Sequence, residues 1–355
     1  MTKKILMCGN EACGEGAMLA GCTFYAGYPI TPQNELIAYM AKRLIDTGGT
    51  FVQAESEIAA INMVLGASAA GFRAMTSSSS PGVSLKQEGI SYMAGCELPG
   101  VIVNIQRGGP GLGNIAPAQG DYFQSVKGGG HGDYNIIVLA PASAQELLDH
   151  TSLAFDLSDK YRNPALVLGD GLLGQMMEPV EIRTQSPGNN IRNKPWALTG
   201  CAGRRPNVLK SLFLGDGALE AHNIKLQQKY KTIKDTEVRV DITNPKDSEI
   251  MIVAYGSAAR ISKAAILKAR AKGIKAGLVR PITLWPFPQG AISAIADRVK
   301  KFLVVEMSSG QMVEDVRLSV CGKAKVDFYG RTGGGIPTED EILAQIEKVV
   351  LVHSP

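Results

Sequence analysis

Short apolar runs alternating with helix-length stretches constrain this chain more than any other property of its sequence. Strand-like runs occur at Lys4–Cys8, Thr23–Ala26, Thr50–Gln53, Ala74–Ser77, Val101–Ile105, Ile136–Leu139 and Ala165–Leu168. Helical spacing fills the gaps at Glu15–Gly21, Asn34–Leu44, Glu57–Ala70, Ser84–Cys96 and Ala144–Tyr161. Strands that alternate with helices predict a parallel sheet covered on both faces. Lys4–Cys8 reads as a buried first strand of that sheet. Such sheets bind ligands in the loops at the carboxyl ends of their strands.

From about Thr184 to Asp241 the alternation stops. Pro187-Gly188-Asn189-Asn190, Pro195-Trp196 and Gly203-Arg204-Arg205-Pro206 read as a loop-rich connector with one charged helix near Leu219–Lys234. A second α/β unit begins at Glu249. Its strands are expected at Met251–Ala254, Ala276–Val279, Phe302–Val305 and Val326–Tyr329, its helices at Ala258–Ala271, Ile292–Lys300, Met312–Val320 and Thr338–Val349. With 355 residues there is length for two cores. The expected division is 1–185, a connector 186–245, and 246–355.

A net charge of +4, dispersed along the chain, gives no electrostatic case for a nucleic-acid or membrane partner. Only 6% of residues are aromatic, and none interleave with basic residues as a base-stacking surface requires. No apolar run approaches membrane-span length, and the start is too short in apolar core for a signal peptide. The expected location is cytoplasmic. Cys8, Cys13, Cys22, Cys96, Cys201 and Cys321 form no Cys-x-x-Cys, so free thiols are expected and no metal site on this chain.

Three segments concentrate chemistry at strand ends. Tyr28-Pro29-Ile30-Thr31-Pro32 lies between a strand and a helix. Pro32 suits a first helical turn, and Thr31 is placed to be the N-cap, its hydroxyl beside free backbone N–H groups. Phe51–Ala60 ends a strand in Glu55 and Glu57, with Glu57 at a helix N-terminus that favours negative charge. A solvated helix-start glutamate is the plain alternative, but Ile58, Ala59, Ile61 and Met63 favour burial. Val101–Pro110 runs a buried strand into Arg107, whose planar fork suits a carboxylate or phosphate. Pairing to a nearby acid is the alternative there.

Other features carry less. Ser77–Ser80, before Pro81-Gly82, offers hydroxyls to a ligand or serves as a helix-capping turn. The glycines of Gly109–Asn114 are wrongly spaced for a dinucleotide fingerprint, and Pro117 interrupts the helix that should follow. His131, His150, His222 and His353 are scattered, and only His131 sits in a Gly-rich loop. Gly169-Asp170-Gly171 and Gly215-Asp216-Gly217 invite comparison with the Mg²⁺–diphosphate motif of thiamine diphosphate enzymes. Asn189-Asn190 follows the first too closely, and the second has no Asn-Asn after it.

Together, Tyr28–Pro32, Glu55-Ser56-Glu57 and Val101–Pro110 resemble the α subunit of 2-oxoacid:ferredoxin oxidoreductases. Val279–Pro288 and Val304–Val316 extend the resemblance over nearly the whole chain, least in the connector. The implied fold is a pyrimidine-type thiamine-diphosphate-binding parallel-sheet domain followed by a transketolase-C-like α/β domain. The cofactor would be shared with a β subunit holding the diphosphate and Mg²⁺, with iron–sulfur clusters on partner subunits.

The resemblance also implies roles. Glu57 would hydrogen-bond the aminopyrimidine N1′ and promote the tautomer that deprotonates thiazolium C2. Arg107 would neutralise the substrate carboxylate, Thr31 would bond substrate, and Pro29, Ile30, Ser78 and Ser79 would line the cofactor. The implied reaction is oxidative decarboxylation of a 2-oxo acid to acyl-coenzyme A, with electrons passed through γ and ferredoxin-like δ subunits to ferredoxin. Ser78–Gly82 and Gly111–Ile115 look most like the branched-chain, 2-oxoisovalerate type. The 2-oxoglutarate type, whose second carboxylate needs another cation such as Lys86 or Lys127, is the competitor. A subunit that kept the fold without chemistry and a self-contained thiamine decarboxylase are the remaining readings.

Overall fold

A computed structural model describes residues 4–182, 194–299 and 301–351. Asn189, Asn190 and His353 lie outside the described residues, as does the end of the expected helix at residue 300. In chain order the first part runs β1 Lys4–Cys8, α1 Gly9–Leu19, β2 Phe24–Gly27, α2 Asn34–Thr47, β3 Thr50–Gln53, α3 Glu57–Ala69, β4 Ala74–Ser78 and α4 Ser80–Gly95. Next come β5 Gly100–Gln106, α5 Tyr122–Val126, β6 Ile137–Leu139, α6 Ala144–Tyr161, β7 Pro164–Asp170, α7 Gly171–Gln175 and β8 Met177–Glu181. The remainder is α8 Ala218–Thr236, β9 Val240–Thr243, β10 Ile250–Val253, α9 Gly256–Ala271, β11 Ala276–Pro281 and β12 Thr283–Trp285. It closes with α10 Gln289–Ala296, β13 Lys301–Glu306, α11 Met312–Val320, β14 Lys325–Gly330 and α12 Glu339–Leu351.

The expected parallel sheet is present, seven strands in the order β12-β6-β7-β5-β4-β2-β3. All its pairings are parallel except β12 with β6. Every residue of β5 and β7 is buried, which is why neither alternates; β5 is apolar apart from Asn104 and the terminal Gln106. The chain steps from β2 outward to β3, then returns to β4 on the other side of β2 and continues to β5. Strand order therefore reverses between β2 and β4, the place where open α/β sheets form a ligand crevice. The loops following β3, β2, β4 and β5 are the ones that carry Glu57, Thr31, the serines and Arg107.

The first strand departs from expectation. β1 pairs antiparallel with β8 in a separate two-stranded ribbon, and Lys4, Ile5 and Leu6 are exposed. A run of five apolar-leaning residues is equally compatible with a surface ribbon, so periodicity could not separate the two. α1 also begins at Gly9 rather than Glu15. Its glycines look like loop residues but serve close approach: a Cβ on Gly16 would stand 2.2 Å from the Leu148 carbonyl oxygen of α6, and one on Gly9 2.0 Å from the Leu173 oxygen.

The second sheet has the order β14-β13-β10-β11-β9, parallel except for the edge strand β9, which precedes Glu249. The two units interlock. β12 leaves the second unit to complete the edge of the first sheet, with Trp285 opposite Val138. The buried Gln119 side chain donates to the Tyr255 carbonyl at 2.9 Å and accepts from the Met307 N–H at 3.0 Å. Arg280 of β11 grips Glu146 of α6 through two hydrogen bonds of 2.7 and 2.9 Å. Among the described residues no helix is long and apolar enough to cross a membrane.

Candidate active site

β2 delivers the Tyr28–Pro32 turn to the crevice. Tyr28 and Pro29 are exposed, Ile30 and Thr31 half-buried, and Pro32 buried. The expected cap is corrected here: α2 starts at Asn34, so Gln33 occupies the N-cap position and Pro32 precedes the helix. The Thr31 hydroxyl accepts only a long 3.4 Å bond from the Asn34 amide. It is thus held loosely, while the Thr31 carbonyl is engaged by the Arg107 guanidinium at 3.0 Å.

Arg107 follows the last residue of β5 and is 7% exposed. Its second terminal nitrogen donates to the Leu112 carbonyl at 2.8 Å, and its buried Nε has no partner. Among the described residues the guanidinium bonds carbonyl oxygens and no carboxylate. The charge is positioned but not neutralised, which sets aside the simple acid-pair alternative. Ser80 fixes the Arg107 backbone by accepting from its N–H at 3.0 Å. Ser80 is itself locked: it donates to Asp121 at 2.6 Å, its own N–H meets Asn104, and its φ is +20°. Asn104 also donates to Asp121 at 2.9 Å. Burial pushes the Asp121 carboxyl upward against these bonds.

Glu57 opens α3 and is 6% exposed, whereas Glu55 is exposed. Ser56 caps this helix by accepting from the Ala59 N–H at 3.2 Å. The capping task is therefore taken, and Glu57 is left with a buried carboxylate beside the helix N-terminus. Gly82 of α4 makes room for it. A Cβ there would lie 2.5 Å from Glu57 Oε1 and 2.1 Å from Ser78 Oγ, so both oxygens face the same bare turn of α4.

The serine run does not cap α4 through its side chains. Ser79 is the N-cap residue but makes no side-chain cap bond, and the hydroxyls of Ser78 and Ser79 are buried without partners. Ser77 is committed, receiving the Tyr25 hydroxyl at 2.5 Å and donating to Gln33 Oε1 at 2.6 Å. The Gln33 amide nitrogen is buried and unpartnered. Orphaned buried polar atoms are rare in folded proteins. Here Ser78, Ser79, Gln33 and Arg107 each contribute one, all on the loops of one crevice.

Several residues named from sequence fall outside this cluster. His131 is exposed beside Ser91, eleven residues beyond Ser80 and about 16 Å along α4. His150 is buried on α6. Asp170 caps α7, accepting from Leu172 and Leu173 at 3.0 and 3.1 Å, and binds the Ser257 hydroxyl at 2.8 Å. Asp216 is exposed in the connector. Neither cation suggested for a second substrate carboxylate is free: Lys86 is fully buried, and Lys127 pairs with Asp315. Ser80, expected to offer its hydroxyl to a ligand, instead holds Asp121 and the Arg107 backbone, and sequence reasoning missed Gln33, Gly82, Asn104 and Asp121 as parts of the site. Asn104, a polar residue inside an otherwise apolar buried strand, was the one visible signal.

The family model described as pyruvate flavodoxin/ferredoxin oxidoreductase, thiamine diphosphate-binding, matches residues 15–244, and pyruvate:ferredoxin oxidoreductase core domain II matches residues 248–342. The chain belongs to the 2-oxoacid:ferredoxin oxidoreductase family. A ketoisovalerate oxidoreductase subunit VorB from Methanothermobacter thermautotrophicus is 51% identical over 96% of each chain. A 2-oxoglutarate synthase subunit KorA from Methanothermobacter marburgensis is 38% identical over 98% of this chain and 99% of its own. Among solved structures, 2-oxoglutarate:ferredoxin oxidoreductase from Magnetococcus marinus aligns with a TM-score of 0.85 and 29% identity. That alignment covers 98% of this chain and 66% of the other, so this chain spans just under two thirds of the solved one. Family members named as subunits work within larger complexes, and this chain is an oxidoreductase subunit of that kind.

The residues present fit the aminopyrimidine end of thiamine diphosphate. A polar heterocycle needs a buried carboxylate and hydroxyl or amide partners. Glu57 supplies the buried carboxylate, and Ser78, Ser79 and Gln33 supply buried polar atoms without a partner. Asp170, in the Gly-Asp-Gly triplet at the end of β7, already caps α7 and binds Ser257.

Proposed function

We propose that this chain is the α subunit of a branched-chain 2-oxoacid:ferredoxin oxidoreductase, converting 2-oxoisovalerate and coenzyme A to acyl-coenzyme A and CO₂. The observation that carries the site assignment is the Arg107–Thr31 hydrogen bond, which ties the loops after β5 and β2 together on the same end of the sheet as the buried Glu57 after β3. Bound thiamine diphosphate supplies the electron sink that receives the carbon–carbon bond electrons as CO₂ leaves. Glu57 holds or gives a proton at the aminopyrimidine ring nitrogen. Arg107 binds the substrate carboxylate with N–H groups that the fold leaves available. The Thr31 hydroxyl orients substrate, and Pro29, Ile30, Ser78 and Ser79 line the cofactor.

The proposed complex includes a β subunit holding the diphosphate and Mg²⁺, and γ and ferredoxin-like δ subunits carrying iron–sulfur clusters. Two electrons per turnover reach ferredoxin singly, and coenzyme A takes the acyl group. The proposed location is the cytoplasm, and the proposed domain division is 1–185, 186–245 and 246–355. Preference for a branched aliphatic acid rests on the two relatives named for ketoisovalerate, 51% and 50% identical, and on Leu112 and Ile115. These apolar side chains stand 80% and 64% exposed on the loop that follows Arg107.

The test is viologen reduction by the assembled complex with coenzyme A and each of 2-oxoisovalerate, 2-oxoglutarate, pyruvate and aryl pyruvates. Highest kcat/KM on 2-oxoisovalerate supports the assignment. Preference for 2-oxoglutarate would overturn the substrate, and full activity of Glu57→Gln would overturn the site. Tight cofactor binding by the isolated chain would replace the split site with a self-contained one.

A further inference from the structure

Lys86 is a charged side chain for which the chemistry above has no use. It lies on α4, fully buried, one turn beyond Gly82. Residues four apart share a face of a helix, so Lys86 follows Gly82 on the side that meets α3. That contact runs along both helices. Gly82 faces Glu57, and Gly89 presses on Ile61, where a Cβ would stand 2.6 Å from the isoleucine methyl. Ile61 is in turn one turn beyond Glu57 on α3. Lys86 thus occupies the stretch of interface between the Glu57 and Ile61 contacts.

Its ammonium donates to Thr76 Oγ1 at 2.5 Å and to the Ser77 carbonyl at 3.1 Å. Both acceptors are neutral and lie on β4, which contributes no charge. Glu88, its acidic neighbour on α4, is exposed and bonded to Tyr92. Burying an ammonium costs several kcal/mol unless an opposite charge answers it. Burial pushes the Lys86 amine down to about 7, and Glu57 is the group whose charge opposes that push. Inside the protein such an interaction is little screened by salt.

We propose that Lys86 is a positioning residue of the catalytic site, its ammonium serving as the buried counter-charge of the Glu57 carboxylate. This rests on Glu57 being the group that meets the aminopyrimidine. The same ammonium holds the end of β4 through Thr76 and Ser77, so that charge and cradle are set by one side chain. The ammonium answers the negative charge that Glu57 brings into the α3–α4 interface, so that charge is met inside the protein rather than by water.

The experiment measures thiamine diphosphate binding to the assembled complex by calorimetry across neutral pH, for wild type, Lys86→Met, Lys86→Arg and Glu57→Gln. Lys86→Met is expected to weaken binding about tenfold at neutral pH. Lys86→Arg, which keeps the charge, is expected to stay within about threefold of wild type. A Lys86→Met profile that superimposes on wild type, with Glu57→Gln impaired, would overturn the inference and leave Glu57 in place. Glu57→Gln binding like wild type would overturn the Glu57 role beneath it. The wild-type minus Glu57→Gln infrared difference spectrum reads the carboxyl without any lysine variant. An ionised carboxylate band at neutral pH supports the pairing, and a protonated carboxyl band overturns it.

Discussion

The Arg107 guanidinium donates to the Thr31 carbonyl at 3.0 Å across 76 positions of sequence. The turn after β2 is thereby fastened to the loop after β5, and Nε is left buried without a partner. Arg107→Lys would keep the charge and lose the fork. The expected result is a KM for the 2-oxo acid raised about tenfold to a hundredfold, or roughly 1.5–3 kcal/mol, with a smaller change in kcat. Steady-state kinetics of the assembled complex checks it.

Gly82 is a second point of contact between loops. A methyl there would stand 2.1 Å from Ser78 Oγ and 2.5 Å from Glu57 Oε1. Alanine is favoured over glycine in a helix by roughly 1 kcal/mol, which offsets part of the cost of about 1–3 kcal/mol for pushing two buried side chains aside. Gly82→Ala is expected to cut activity about a hundredfold or more while the melting temperature falls only slightly. Differential scanning calorimetry and turnover on one preparation separate the two effects. An active variant would mean that Glu57 can move aside without cost.

Asp170 distinguishes a cap from a metal ligand. It satisfies two α7 N–H groups and the Ser257 hydroxyl, and burial pushes its carboxyl upward. Asp170→Ala should lower stability by about 1–2 kcal/mol in denaturant titration. Asp170→Asn keeps an acceptor oxygen and should retain both stability and turnover. Activity lost in the Asn variant and restored by excess Mg²⁺ would count against the cap.

His150 carries an acid-sensitive contribution. Burial pushes its imidazole from the ordinary 6.5 down to about 4, and Nδ1 has no partner. Between those values the unfolded chain binds more protons than the folded one, so stability falls as pH drops through that window and is intact above it. Buried Asp170 and Glu306, with carboxyls pushed up, work in the opposite sense at the lower end. Replacing His150 by Gln should flatten the fall between pH 6.5 and about 4. Chemical denaturation of both forms across that range measures the difference.

Much of the site was legible because its carriers end short apolar strands. Arg107 stands where a strand-like run stops and Glu57 where the next helix starts, and both proved buried. The burial of Lys86 was not legible: on sequence it is one more lysine in a helical stretch. Nor was β12, three residues whose partners lie about 145 positions earlier in the chain. Gly9 and Gly16 read as loop because a glycine's use in close helix approach depends on a neighbour the local sequence does not contain.

Local periodicity determined which segments are strands and helices, and so which loops end at Thr31, Glu57, Ser78 and Arg107. It could do so because each signal is written within a few consecutive residues. Only the tertiary structure decided that these four loops meet. That meeting depends on β2 lying between β3 and β4, with β5 beyond β4, and on pairings between residues far apart in the chain. The counter-charge at Lys86 belongs to the same class: it exists only because α3 and α4 pack closely enough to keep water out.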